Sequence, residues 1–511
     1  MERVLLINPG QTYFGQTFRQ SARGSIGLPL GLLYVAAAFE KNGSEVKVVD
    51  SLVSPATEMT KWKGRIHYGI PPAKLAPMIQ EFRPDIVGIS SPFTAQEEDT
   101  LRTAQLVKSL DPDILVIAGG ANASCRAHEL LNGGHVDIAV KPEGERIVGE
   151  ILEHVRGGKD LAQIRGIAFR QNGGIRDTEE YRPPRNLGDI PWPAYHLVDM
   201  ERYLTLYRLG IATRDRDVVR NMSMITSRGC PYGCVFCSIA LSMGKTWRAH
   251  PTEDVIRHIR MLAETYRVGH IHFEDDNLLF DPQRFLPVLD VLAQNAVTWD
   301  TPNGIRVDLS LDETILNTMV RSGCKSLTIG VESGDERVLQ QIVRKRINLA
   351  DVEEFARRCR RVRLPLRAFF ILGFPGETRQ TMRRTMDFAL HLLRDYDVEI
   401  VNLIATPLFG TDLYRLCREK HYFAEEITPR GLSESTVSDG RCLIRTESFS
   451  SRDVERMSRA FTAKVYRRLF LKGLSHPQKS LKRIGNPYIL LRTLKRIWPG
   501  MSLMSRTRPR V

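Results

Sequence analysis

Two series of short, unbroken apolar runs alternate with helix-length stretches, and this alternation leaves few folds open. Residues 4–8, 45–49, 86–90, 114–118 and 138–140 form the first series, with helical stretches at 30–42, 72–81 and 98–110. A run that is apolar on both faces reads as a buried parallel strand, and parallel neighbours need a crossover, usually a helix. The expectation for residues 1–155 is therefore a doubly wound, Rossmann-like α/β domain. The second series lies at 223–226, 270–274, 299–304, 326–330, 368–372 and 400–405, each run followed by a helical stretch. Right-handed crossovers wind such a series into a partial (β/α)6 barrel over residues 216–430. Both architectures bring ligands to the carboxyl ends of their strands. Residues 156–215 read as a connector, with a small hairpin at 164–170 and 174–176 and a proline-rich stretch around Pro191-Trp192-Pro193. Prolines on both sides of Trp192 make that segment stiff and extended.

Directly after the first barrel strand stands Cys230-Pro-Tyr-Gly-Cys234-Val-Phe-Cys237, a C-x3-C-x2-C triplet. Three thiolates can hold three irons of a cubic iron–sulfur cluster and leave the fourth open to an outside ligand. Gly229, Pro231 and Gly233 keep the segment out of a helix and let it wrap tightly. Phe236 is placed to shield one face from water. Buried free thiols and a zinc knuckle are the competing readings, but zinc takes four ligands in spaced pairs and no second pair lies nearby.

The remaining five cysteines are scattered among the 511 residues without a disulfide-like pattern, which fits a reducing compartment and a cytoplasmic enzyme. The N-terminus reads as a strand entering a turn, and no apolar run approaches the length of a membrane span. The net charge of +14 sits in residues 451–511, where 16 Lys and Arg face two acids; the preceding 450 residues balance 57 against 57. Basicity is thus a property of the tail, and no nucleic-acid partner is expected from it.

From the cysteine triplet onward the chain resembles the radical S-adenosylmethionine (SAM) enzymes. The first domain resembles the cobalamin-binding domain often fused ahead of that barrel, through Pro29–Gly43 leading to Asp50, Pro84–Ser91 and Val116–Gly120. Asp189–His196 resembles the linker commonly found between the two. The whole is similar to cobalamin-dependent radical SAM C-methyltransferases. Two positions depart from the pattern: Asn122 stands where the family often has His, and Lys141-Pro142 precede Glu143. No Asp-x-His-x-x-Gly run occurs, so the resemblance implies cobalamin with its base detached and no protein histidine in its place.

The resemblance carries site assignments residue by residue. Cys230, Cys234 and Cys237 would hold a 4Fe-4S cluster. Glu274 and Asp275, Arg306, Glu332 and Ser333, and Phe374 would contact SAM from successive strand ends. Asn8, Ser90, Ser91, Gly119, Gly120 and Glu143 would line the cobalamin. The implied chemistry is reductive cleavage of SAM to a 5′-deoxyadenosyl radical, hydrogen abstraction from an unreactive carbon, and methyl transfer from methylcobalamin. A radical cyclase or oxidative rearrangement enzyme of lipid or tetrapyrrole type is the alternative, and a non-catalytic cobalamin or redox sensor ranks below it. The implied partners are a small-molecule or lipid-like substrate and an electron donor such as flavodoxin or ferredoxin.

Residues 431–511 form the helical, basic tail that departs most from this pattern. Residues 466–472 and 488–498 mix large apolar side chains with cations at near-helical spacing, as interfacial helices do. The first segment is expected to pack on the barrel, and the second, with Trp498, to touch an anionic membrane surface at its inner face.

Overall fold

The computed structural model describes all residues except 14–25, 142, 184, 209–219, 308–309, 436–439 and 476–511. Its chain builds two parallel sheets in succession. The first contains β1 (Arg3–Asn8), β3 (Glu45–Asp50), β6 (Ile86–Ser90), β7 (Leu115–Gly119), β8 (Ile138–Val140), β9 (Ile167–Gln171) and β10 (Gly174–Asp177), in the order β10-β9-β8-β7-β6-β1-β3. Its five parallel strands follow the 2-1-3-4-5 pattern, so the chain reverses its direction of winding between β1 and β6. That crevice is where a doubly wound sheet receives a ligand. Asn8 ends one of the two strands and Ser90 the other.

The hairpin expected in the connector is present, and it does more than connect. β9 pairs antiparallel with β8, so the sheet runs on past residue 155 to Asp177. A second sheet in this half was not expected: β2 (Gln11–Tyr13), β4 (Glu58–Trp62) and β5 (Arg65–Gly69) form an antiparallel trio. β4 and β5 are joined by Lys63-Gly64, both at positive φ, the two-residue turn that matches hairpin twist.

The second parallel sheet contains β11 (Asn221–Met224), β14 (His270–Phe273), β15 (Thr298–Asp300), β16 (Cys324–Glu332), β17 (Leu366–Leu372) and β18 (Glu399–Ile404), paired in sequence order as an open barrel. Phe273 and Trp299 point outward and pack edge-on against Phe285 of helix Pro282–Gln294. By strand alternation His270, His272 and Asp300 point into the lumen. Helix Ser451–Ser475 closes on β18, with Val454, Phe461 and Val465 buried and Leu469 and Leu471 reaching solvent. The tail segment 488–498 lies outside the described residues. No helix among the described residues is long and apolar enough to cross a membrane.

The two halves share one hydrophobic core, in which Leu30, Leu33 and Leu52 pack with the barrel residues. The linker adds an aromatic stack: Trp192 lies between His250 at 4.3 Å and His258 at 3.9 Å. Burial pushes both histidines down to about 3, so they stack as neutral rings. A buried ion network finishes the junction. Arg248 donates to both oxygens of Glu143 at 3.0 and 2.6 Å, while Arg228 reaches Glu143 at 3.3 Å and Glu145 at 2.5 Å. Tyr34 lies under the Arg228 guanidinium at 4.9 Å. Burial alone would raise the Glu143 carboxyl; the two arginines outweigh it and hold the group below its ordinary value.

Removing one partner of a buried pair strands the other charge, at a cost of about 3–5 kcal/mol. Arg248→Ala is therefore expected to destabilise the chain by that order in denaturant unfolding, and a loss under about 1 kcal/mol would contradict the network's role.

Candidate functional site

The cysteine loop is an excursion with a narrow neck. β12 (Ser227–Arg228) pairs with β13 (Arg248–Ala249), and everything between them projects from the carboxyl end of β11. Gly229 begins the excursion at φ +81, where a Cβ would collide with the carbonyl of Thr246 and lie 3.0 Å from that of Met243. Only glycine fits there. The loop is pinned to two helices of the barrel, since Val235 N–H donates to Val343, the last residue of helix Val338–Val343, at 3.1 Å and Leu413 N–H of helix Asp412–Glu419 donates to Val235 at 2.8 Å.

Cys230, Cys234 and Cys237 are all half-buried free thiols. Among the described residues, one other triad alone brings its donor atoms within 4.8 Å of one another, so these three sulfurs do not converge on a point. Thiolates on a single tetrahedral zinc would sit about 3.8 Å apart, given Zn–S bonds of about 2.3 Å. The loop therefore suits a group wider than one ion. Burial pushes all three thiols up, Cys237 to about 11, with Lys345 and Arg306 opposing the rise at Cys230 and Cys234. Ionising them needs the positive charge of bound metal. Phe236 covers the loop from one side and meets Phe374, 5.8 Å between ring centres.

The end of β14 carries three successive carboxylates with three different tasks. Glu274 accepts from Ser223 Oγ at 3.2 Å, and burial raises its carboxyl. Asp275 is buried against the first strand's end: it accepts from Thr226 N, Thr226 Oγ1 and Ser227 Oγ, the hydroxyl bonds at 2.8 and 2.6 Å. It anchors the root of the cysteine loop. Asp276 accepts from Gly229 N–H at 2.7 Å, and burial pushes it up to about 6.

Glu332 sits at φ +70, at an irregularity in the β16–β17 pairing, and accepts from Lys345 Nζ at 2.7 Å. A Cβ on Gly330 would collide with both partners of that pair. Ser333 is fully buried and bonds Thr385 Oγ1 at 2.9 Å, so its hydroxyl holds the strand end in place. Arg306 lies over the Tyr232 ring at 4.0 Å and donates to the Arg346 carbonyl at 2.6 Å. Phe374 is fully buried; its N–H and that of Gly373 both donate to Glu377 Oε2, at 2.9 and 2.8 Å. Lys345 and Glu377 are residues of this site to which the sequence assigned no role.

On the facing domain, Gly120 at φ +119 places its Cα against Ser91, where a Cβ would be 2.7 Å from the Ser91 carbonyl oxygen. A Cβ on Gly119 would make only ordinary contact, with Val140 at 3.9 Å, so the backbone there is not crowded. Asn8 donates to Asp50 at 2.9 Å. Ser90 offers its carbonyl to Thr100 Oγ1 at 3.3 Å. Ser91 Oγ accepts from Asn122, which also donates to Glu97, itself gripped by Arg126 at 2.6 and 3.0 Å. Glu143, expected along the ligand, is instead committed to Arg248 and Arg228 at the junction. The tips suit a flat group approached through backbone and small side chains. His67 cannot serve as an axial ligand in this arrangement, because Thr12 and Asp99 hold its Nδ1 and Arg102 its Nε2. His128 is paired with Asp177 and His154 with the Lys159 carbonyl.

Three parts of the chain meet where the two sites face. A Cβ on Gly410, in the loop between β18 and helix Asp412–Glu419, would lie 2.8 Å from Leu241 of the cysteine loop and 3.2 Å from Cys125 of helix Ala121–Asn132.

Family models agree with this layout. The B12 binding domain model matches residues 21–152 and the Radical SAM superfamily model residues 224–389. The chain is 27% identical over 453 residues to cytidylyl-2-hydroxyethylphosphonate methyltransferase of Streptomyces wedmorensis, covering 81% of this chain and 82% of that one. It is 30% identical over 396 residues to an uncharacterized methyltransferase of Pyrococcus horikoshii, covering 76% and 78%. Its fold matches the cobalamin-dependent SAM radical enzyme OxsB with aqua-cobalamin and SAM bound, at TM-score 0.69 and 15% identity over 99% of this chain and 71% of that one. The chain belongs to the cobalamin-dependent radical SAM enzymes, whose cofactors are a 4Fe-4S cluster, SAM and cobalamin.

Glu377 gives the site a titration of its own. Burial pushes its carboxyl up to about 7 from an ordinary 4.5. A raised acid contributes stability in full below its unfolded value and loses it as pH rises through the folded one. Stability should therefore fall between about pH 4.5 and 7, and Glu377→Gln should flatten that part of the profile in thermal melts. An unchanged slope in the variant would exclude Glu377 as its source.

Proposed function

We propose that this enzyme methylates an unreactive carbon, with Cys230, Cys234 and Cys237 holding the cluster and the tips of β1, β6 and β7 holding cobalamin. Bound together, the cofactors supply a hydrogen-abstracting radical and a transferable methyl group. The chain's residues bind, orient and exclude water. Glu274, Glu332 and Arg306 line the SAM side, with Lys345 added to them as a cation facing the cysteines. The Gly373-Phe374 backbone frames the base. Asp275 and Ser333 act by holding these strand ends rather than by touching the ligand.

The observation that carries the reading is the contact of the cysteine loop with the cobalamin-side helix around Gly410, Leu241 and Cys125. A radical formed on one side and a methyl held on the other need a shared, enclosed space. Two relatives named as methyltransferases over most of their length favour methyl transfer over cyclisation.

The decisive experiment incubates reconstituted enzyme with cell extract and methyl-labelled SAM and follows products by mass spectrometry. Gain of one labelled methyl is the expected result. Loss of two hydrogens without label would replace the proposal by a cyclase or oxidase. Changing Cys230, Cys234 and Cys237 together to Ala should abolish both iron–sulfur absorbance and 5′-deoxyadenosine release.

Two finer expectations belong to the same reading. Glu332→Ala should weaken SAM binding about tenfold or more in calorimetry while iron content stays normal, the loss expected when one charged hydrogen-bonding partner of a ligand is removed. Cobalamin bound here should be base-off, with no imidazole nitrogen coupling in its electron paramagnetic resonance; strong coupling would overturn that part. A flavodoxin- or ferredoxin-type protein supplies the electron, and the substrate is a small or lipid-like molecule. Contact with an anionic membrane through residues 488–498 would favour the lipid. Flotation of full-length chain, but not of a truncation after Gly485, on anionic liposomes at low salt is the outcome that contact requires.

A further inference from the structure

The barrel lumen holds a second constellation of ligand-type side chains, away from the cysteine loop. His270 and His272 are one pleat apart on β14 and share its inward face, and Asp300 of β15 stands opposite His272 in the strand register. His272 Nδ1 lies 2.6 Å from Asp300 Oδ1, and His270 Nε2 lies 3.6 Å from the same oxygen. All three donor atoms fall within 4.8 Å of one another, and no other such triad occurs among the described residues.

The hydrogen bonds around His270 fix which of its nitrogens carries a proton. Thr298 Oγ1 donates its single proton to the Gly269 carbonyl at 3.0 Å. It must therefore accept from His270 Nδ1, 2.8 Å away. With its proton on Nδ1, a neutral His270 leaves a bare lone pair on Nε2, which faces the Asp300 oxygen. An imidazole lone pair directed at a carboxylate across 3.6 Å is unfavourable unless a positive charge lies between them.

We propose that His270 Nε2, His272 Nδ1 and Asp300 Oδ1 form a binding site for one divalent transition cation of the zinc class. Two imidazoles and one carboxylate, with further positions open, are a donor set such ions take. Tetrahedral bonds of about 2.1 Å put donors about 3.4 Å apart. Widening the His272–Asp300 contact to that value is a side-chain adjustment, since both groups keep part of their surface exposed, 16% and 19%. Binding forms three metal–ligand bonds and breaks the His272–Asp300 hydrogen bond; the proton on His272 Nδ1 moves to Nε2, so the ring binds as a neutral imidazole. Thr298 is the positioning residue that presents Nε2 to the ion.

The site lies one pleat below Glu274 on the same face of β14. An ion there ties β14 to β15 beneath the strand end that carries Glu274. It is independent of the cluster: none of its ligands lies on the loop between β12 and β13.

The test uses the full-length chain with Cys230, Cys234 and Cys237 changed to Ala, so that the loop offers no thiolates, and titrates it with Co(II) alone. One equivalent should bind with the visible bands of a nitrogen- and oxygen-ligated, four- or five-coordinate ion, and Zn(II) should displace it. Asp300→Asn, which keeps side-chain shape, and His270→Ala should each abolish stoichiometric binding. Thr298→Val should weaken it about 10–100-fold, as loss of an orienting partner does. Absence of stoichiometric Co(II), a thiolate charge-transfer band, or binding that survives both Asp300→Asn and His270→Ala would overturn the proposal. Circular dichroism of Asp300→Asn separates ligand loss from misfolding. None of these outcomes bears on SAM cleavage, which is read in the chain with its cysteines intact.

Discussion

The ion network of Arg228, Arg248, Glu143 and Glu145 is the constraint on which the rest of the structure depends. Each arginine sits on one strand of the β12–β13 neck of the cysteine loop, and both glutamates flank the start of the helix that follows β8. The network therefore joins the root of one cofactor loop directly to a strand-end turn of the other domain. Side chains this deeply buried could be replaced by apolar residues without loss of stability in many proteins. What an apolar contact cannot do is fix direction. Bidentate guanidinium–carboxylate geometry sets both distance and orientation, and two cofactor sites that act on one substrate tolerate little error in either.

The loop itself is positioned by backbone groups more than by side chains. Gly229 enters through a conformation closed to other residues, Asp276 takes its N–H, and Asp275 takes the N–H of Thr226 just before it. These bonds fix the root of the loop, and beyond it the backbone N–H groups of Tyr232 and Ile239 turn toward the sulfurs of Cys230 and Cys237.

Much of this was legible because the signals were periodic or covalent in nature. Both parallel sheets and the glycine-broken cysteine loop follow from runs of apolar residues and fixed spacings. The three carboxylates at the end of β14 were not separable by composition, yet strand parity divides them: Glu274 continues the lumen-facing positions of His270 and His272, and Asp275 takes the opposite parity and bonds the root of the cysteine loop. The β2-β5-β4 sheet was missed because its strands are short and half polar, although Lys63-Gly64 is a hairpin signal. Lys345 and Glu377 could not have been found by spacing. One reaches Glu332 from 13 residues away, and the other folds back on N–H groups three and four residues before it.

Backbone strain marks the remaining point of interest. Glu332 holds φ +70, a conformation that costs a residue with a side chain on the order of 1–3 kcal/mol, and it does so where the β16–β17 register shifts. Regular strand geometry would send this side chain to one face or the other of the sheet. The irregularity instead lays the carboxylate against Lys345, in space that Gly330 keeps clear by lacking a Cβ. Just beyond it the backbone is held again, by Ser333 on Thr385 and by Arg384 on Asp335 at 2.8 Å. Those bonds keep the backbone of the irregularity in place, and so the direction in which the Glu332 side chain leaves it. An alanine at Gly330 would press on the ends of both Glu332 and Lys345, so the missing side chain decides where that ion pair sits.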